Sequence, residues 1–212
     1  MSTLVLHQLS PSPNTQKVQL ALHWKKIPFE AREIDPMDRA RLVELSGQPL
    51  APVLEHEGRV LFDSGAILRY LDANWRTEPR LFRTDRTAMR ELENWELSSR
   101  TEFAEPLGIM FDQAFAKSPD AAAIARANKL LAERTKRVED VLSGREFLLA
   151  DGELSAADLT LAPRIGLAMI DPARAAGHPI VEFFVKNHVL DGAFPNTRAW
   201  VARTMAPLAA KR

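Results

Sequence analysis

The pattern of apolar and polar positions changes character once along the chain. From Thr3 to about Trp75, short apolar runs alternate with helical stretches: "LVLHQL", a helix from about Pro13 to Lys26, "PFEAREI", a short helix after Asp35, "PVLEHEG", "RVLFD", and a helix from Ser64. The order is βαβ followed by ββα, with two hairpin-like strands around "EHEG", where Gly58 supplies the turn. Beyond "NWRTEPRLF" the period is helical to the end. Ala88, Leu92, Trp95, Ser99 and Phe103 share one helical face, and Ile124, Ala127, Leu131, Val138 and Leu142 share another. Residues 76–83, with Pro79, separate the two textures and read as a linker. The chain shows no internal repeat and no low-complexity tract beyond the Ala-rich "DAAAIARA", a strong helix former.

One helix start in the second half is written out in full. In "LLADGELSAADLTLAP", Ser155 suits the N-cap position and Asp158, three residues on, can reach back to the cap's own N–H: a capping box with Asp in place of Glu. Leu154 and Leu159 flank it as a hydrophobic staple, and Pro163 falls inside the helix.

Composition narrows the partner. The 212 residues carry 28 basic and 28 acidic side chains with no block of like charge, which removes the footprint of a nucleic-acid or anionic-membrane binder and leaves a small molecule. The first residues lack a basic n-region, and no run approaches the roughly 18 apolar residues of a spanning helix, so a cytoplasmic location is expected. There is no cysteine, which excludes disulfides, thiolate metal sites, a CxxC redox pair and a cysteine nucleophile. The five histidines, His7, His23, His56, His178 and His188, lie at no metal-ligand spacing, and His7 is expected to point off the first strand. No phosphate loop, GxSxG or dinucleotide fingerprint appears.

"SPSPNTQKVQLAL", Ser10 to Leu22, crowds more turn and cap residues into a helix start than capping requires. Ser12 before Pro13 is a common helix opening that needs no ligand. "LFDSGAI" places Asp63 or Ser64 as cap of the next helix, where free N–H groups can equally accept a carboxylate.

Taken in order, the βαβ-ββα half with "SPNTQKV", then "GQPLAPVLEHEGRVLFDSGAILRYL", then an all-helical half with "GELSAADL", resembles a cytosolic glutathione transferase of the serine type over essentially the whole chain. The resemblance implies an α/β thioredoxin-like N-terminal domain, residues 1–78, and an all-α C-terminal helical domain, residues 79–212. It implies glutathione as co-substrate, no metal, a cytoplasmic homodimer, and conjugation of the glutathione thiolate to a small electrophile, as in detoxification. Rival acceptors on the same fold would make it an isomerase, an ether-cleaving enzyme or a dehalogenase, and a noncatalytic binding module is the rival from another class.

By the same resemblance Ser12 donates to the glutathione sulfur, and Asn14 can offer its amide to the same atom. Thr15 is expected on the helix surface; Lys17, near the helix start, could attract an anion but reads as an exposed lysine with no specific task. Pro52 is the implied cis-proline, with the Ala51 peptide pairing to the cysteinyl part of glutathione, Pro49 being the lesser cis candidate. Gln48 belongs to the glutathione-binding set, although "GQPLAP" departs from the family's usual spacing there. Asp63 takes the γ-glutamyl ammonium and Ser64 its carboxylate. Tyr70, the sole tyrosine, lies well inside a helix, so relatives with an N-terminal tyrosine are the wrong comparison. Glu102, Phe103, Pro106, Ile109 and Met110 are the implied lining of an acceptor pocket.

Overall fold

The computed structural model describes residues 3–175 and 177–209. They divide into two compact units, one comprising the chain to Arg83 with the stretch from Pro207 onward, the other Thr84–Ala206.

The first unit is α/β and thioredoxin-like. Its elements are β1 (Leu4–Gln8), α1 (Pro13–Trp24), β2 (Phe29–Glu33), α2 (Ala40–Ser46), β3 (Val53–His56), β4 (Arg59–Leu61) and α3 (Ser64–Asn74). The sheet order is β2-β1-β3-β4. β1 and β2 run parallel, and α1 supplies the crossover a parallel pair requires. β3 is antiparallel to both β1 and β4, with Leu6 opposite Leu54 and Leu54 opposite Leu61. Glu57 (φ 49) and Gly58 (φ 74) form a two-residue hairpin turn with both φ positive, the twist that matches the flanking strands. α1 packs against α3, and Leu6, Val18, Leu22, Leu54, Ile67, Leu68 and Leu71 are fully buried. Val53, one residue before Leu54 and so on the opposite sheet face, joins Ile34 and Leu42 in a second cluster at α2.

Residues 77–82 are tied to this unit. The Lys25 ammonium lies 2.9 Å from Asp72 Oδ1 and donates to the carbonyls of Thr77 (2.8 Å) and Pro79 (3.0 Å). Asp72 accepts in turn from the N–H groups of Leu81 (3.0 Å) and Phe82 (3.3 Å) and from Arg80 Nη2 (3.1 Å). The stretch that reads as a linker is therefore fastened by two buried charges, and the first unit continues to Arg83.

The second unit is helical: α4 (Arg86–Arg100), α5 (Ala104–Phe115), α6 (Ala121–Val141), α7 (Ala156–Gly166), 3-10 turns at Leu167–Met169 and Pro172–Arg174, α8 (Pro179–Asn187) and α9 (Pro195–Ala209), the last belonging to this unit as far as Ala206. Leu92, Trp95, Ser99 and Phe103 are all buried, but α4 ends at Arg100 and Phe103 is the N-cap of α5, so the single face expected from periodicity belongs to two helices. Ser155 and Asp158 form the capping box at α7, and α7 runs on through Pro163. Asp158 is wholly buried; its oxygens accept from Ser155 N (2.9 Å), Ser155 Oγ (2.8 Å), Leu148 N (2.9 Å) and Trp200 Nε1 (2.8 Å). Burial nevertheless pushes its carboxyl pKa up. Among the described residues no helix is long and apolar enough to cross a membrane.

Candidate active site

Strand register decides what lies together. Because β3 runs antiparallel to β1, the start of β3 lies beside the end of β1; because β4 turns back along β3, its end returns to the same edge. The loop into α1, the Ala51–Pro52 peptide and the opening of α3 thus share one end of the sheet.

At the first of these, Ser12 is the N-cap of α1 (φ −139, ψ 122) with Pro13 in the first helical position. Its Oγ accepts from Thr15 N at 3.4 Å, a long bond, and its own proton has no acceptor among the described residues. The Asn14 side chain is exposed beside it and likewise has no partner among the described residues. Two expectations are corrected here. Thr15 is 1% exposed, because its Oγ1 accepts from Leu9 N (3.3 Å) and so holds the loop down. Lys17 is 5% exposed: five residues past the cap, it faces inward with Val18 rather than into solvent.

Ala51–Pro52 is a cis peptide, as are Ser10–Pro11 and Glu78–Pro79, and Pro49 is not among the cis peptides of the described residues. The N–H and carbonyl of Ala51 have no hydrogen-bond partner among the described residues, so a strand-like ligand can pair with them. Gln48 is engaged in its own loop. Its amide donates to Ser46 Oγ (2.9 Å) and the Leu50 carbonyl (3.0 Å), and its Oε1 accepts from Leu50 N (2.7 Å).

At the third element the cap is Asp63, not Ser64. Asp63 has φ 65, in the left-handed region that Asp tolerates better than most, and its Oδ1 accepts from Gly65 N and Ala66 N, both at 2.9 Å. That leaves the Ser64 hydroxyl, in the first helical position, without a partner among the described residues. An anion and an uncommitted donor therefore sit side by side, as a zwitterionic ligand end requires.

His7, His56, His188 and Tyr70 are engaged within the fold. His7 is buried, with Nε2 2.6 Å from Glu55 Oε1, contrary to the expectation that it points off the strand. Tyr70 in α3 is held by His56 Nδ1 at 2.7 Å. His188 bonds Asn128 Oδ1 through Nδ1 at 3.0 Å, and burial lowers its pKa to about 4. Among the described residues no group of His, Cys, Asp or Glu is placed to hold a metal.

Of the implied acceptor-pocket residues, all but Glu102 are buried or half-buried in the helical unit. Met110 is fully buried in a cluster with Leu107, Ala127, Leu167 and Phe184, and Ile109 packs on its edge. Phe103 and Pro106 are buried as well. Glu102 is exposed, its carboxylate held by Ser98 Oγ and 3.6 Å from Arg137. Apolar residues at helical spacing satisfy a core and a pocket equally well. A surface groove of about 550 Å³ does exist in this unit, lined by Ile124, Asn128, Ala132, Lys136, Asn187 and Asp191, and none of the expected site residues borders it.

Residues 6–79 match the family model described as glutathione S-transferase, N-terminal domain. Glutathione S-transferase U10 of Arabidopsis thaliana is 27% identical over 139 residues, 64% of this chain and 60% of that protein, so the chain spans under two thirds of that relative's length. The crystal structure of poplar glutathione transferase F1 shares the fold with a TM-score of 0.73 at 21% identity, over 100% of this chain and 94% of that one. The theta class glutathione S-transferase of Xanthomonas axonopodis pv. citri, with glutathione bound, does so with a TM-score of 0.76 at 20% identity, over 96% and 92%. Residues 6–79 thus match a glutathione S-transferase N-terminal domain, and the chain shares its fold with solved glutathione transferases nearly from end to end.

Proposed function

We propose that the protein binds glutathione along its first unit and joins the thiolate to a small electrophile by displacement or addition. The observation that carries this reading is the Ser12 hydroxyl, whose proton is uncommitted at the opening of α1. A thiol in water has a pKa near about 8.5, and lowering it by roughly two units takes about 2.7 kcal/mol of preference for the anion. A hydroxyl donating to a charged acceptor contributes about 1.5 to 3 kcal/mol, and the helix start adds about 0.3 to 1. The sum suffices without a metal or a general base.

Ser12 thus donates to sulfur and is neither base nor covalent nucleophile, and the exposed Asn14 amide is a second donor within the same turn. The Ala51 peptide pairs with the cysteinyl backbone, Asp63 takes the γ-glutamyl ammonium through its second carboxylate oxygen, and Ser64 takes the carboxylate. Gln48 contacts the ligand only by releasing its bonds to Ser46 and Leu50. Support also comes from the structural neighbour from Xanthomonas axonopodis, which holds glutathione. In this reading the protein acts in the cytoplasm as a homodimer, detoxifying electrophiles; isomerase, ether-cleaving or dehalogenase chemistry would differ only in the acceptor.

Isothermal titration calorimetry with glutathione at millimolar concentration tests the reading. Saturable binding, followed by thioether formation with an aryl halide, is the expected result. Absence of binding overturns it and leaves a noncatalytic module.

A further inference from the structure

Arg164 stands in the last turn of α7, a helix in which nine of the 11 residues are buried. The residue itself is half-buried, and burial pushes its guanidinium pKa below the usual value. A buried lysine can shed its proton, but a guanidinium cannot, so this charge persists and calls for an anion. The fold supplies none. Among the described residues Arg164 makes no hydrogen bond, ion pair or ring contact. Other arginines of the same unit are met: Arg137 lies over the Trp95 ring and 3.6 Å from Glu102, Arg134 pairs with Glu105, and Arg145 lies 3.6 Å from Glu91. Its place at a helix end explains little, because a cation there gains less from the helix dipole than desolvation costs it. Thr160, one turn earlier on the same side of α7, is 4% exposed, and its hydroxyl too has no partner among the described residues. That hydroxyl is sealed from solvent, whereas the Arg164 nitrogens are not, so an ion can reach them. An unmet charge beside an unmet hydroxyl points to a partner from outside the chain.

We propose that Arg164 is a binding residue for the carboxylate of a small organic acid held on the second unit. The planar guanidinium offers two parallel N–H groups to the two oxygens of a carboxylate. One negative charge neutralises the one positive charge, while a phosphate dianion would bring an excess charge into mostly apolar surroundings. The site shares no residue with the glutathione reading and stands or falls separately from it.

The test uses the full chain and three probes: benzoate, its uncharged isostere benzamide, and inorganic phosphate, each titrated with binding followed by nuclear magnetic resonance. The wild type is expected to bind benzoate about tenfold or more tightly than either of the others. Arg164→Met, which keeps the stem and removes the charge, should bind benzoate no better than benzamide. Arg164→Lys, a point charge without the fork, should retain part of the preference. Equal binding of benzoate and benzamide by the wild type overturns the proposal, as does a preference that survives in Arg164→Met. Phosphate binding tighter than benzoate overturns it as well, since the site would then take a phosphoryl group. If Arg164→Met does not fold, as judged by thermal unfolding, Arg164→Gln takes its place with the same expected loss, and an unchanged preference there is equally fatal.

Discussion

Lys25 Nζ and Asp72 Oδ1 lie 2.9 Å apart with both side chains buried, and between them they hold the backbone of residues 77–82. Burial pushes the Asp72 carboxyl up, but the bonds from Leu81, Lys25 and Arg80 outweigh it and hold the pKa below its usual value.

Removing either partner leaves the other charged and buried, so Asp72→Asn or Lys25→Met is expected to destabilise the first unit by about 3 to 5 kcal/mol. A carboxylate with a lowered folded pKa stabilises above its unfolded value and loses that contribution as pH falls through the folded one. Wild-type stability from denaturant titrations should therefore drop below about pH 4, and Asp72→Asn should flatten that limb. A variant whose acid limb matches the wild type would remove Asp72 as its cause.

His188 gives the second pH signature. Its imidazole stays neutral because burial against Phe184 and Asn128 leaves a charged ring without water, which lowers the pKa to about 4. The unfolded chain then binds a proton that the folded one refuses, so stability is complete above about pH 6.5 and is lost as pH falls toward 4. The loss is of order 3 kcal/mol. His188→Gln should show no such slope in thermal unfolding between those pH values, and an unchanged slope would assign it elsewhere.

Ser12→Ala should raise the pKa of bound glutathione by about 1 to 2 units, read from thiolate absorbance in the ultraviolet. The same change removes an N-cap and lowers stability by about 0.5 to 2 kcal/mol, so the titration is read on protein shown to be folded. Ser12→Thr should keep both functions. An unchanged titration in Ser12→Ala moves the sulfur contact to Asn14, and Asn14→Ala should then show the shift.

Asp63→Ala should weaken glutathione about tenfold or more while leaving the thiol pKa of whatever still binds near the wild-type value. Its cap bonds to Gly65 and Ala66 are lost too, so the start of α3 should exchange its amide hydrogens faster. Parallel loss of affinity and of the depressed thiol pKa would show that the two ends of the site are not separable.

Much of this was legible in residues acting on near neighbours. Ser155 with Asp158, Ser12 with Pro13, the Glu57–Gly58 turn and the βαβ-ββα order each follow from caps, dihedral preference and periodicity within a few residues. The DS pair opening α3 was legible as well, down to a choice of two caps, which the φ of 65 at Asp63 decides.

What only the tertiary structure decided involves partners far along the chain. Lys25 meets Asp72 across 47 positions. Burial of Lys17 and Thr15, the fastening of residues 77–82 and the absorption of Met110 into a core all depend on which surface another element covers. The sequence by itself determined the elements, their order and the chemistry at each helix start, because those preferences are local. Which charges are desolvated, and against whom, is a property of close packing between distant segments, and no window of the chain contains both halves of such a contact.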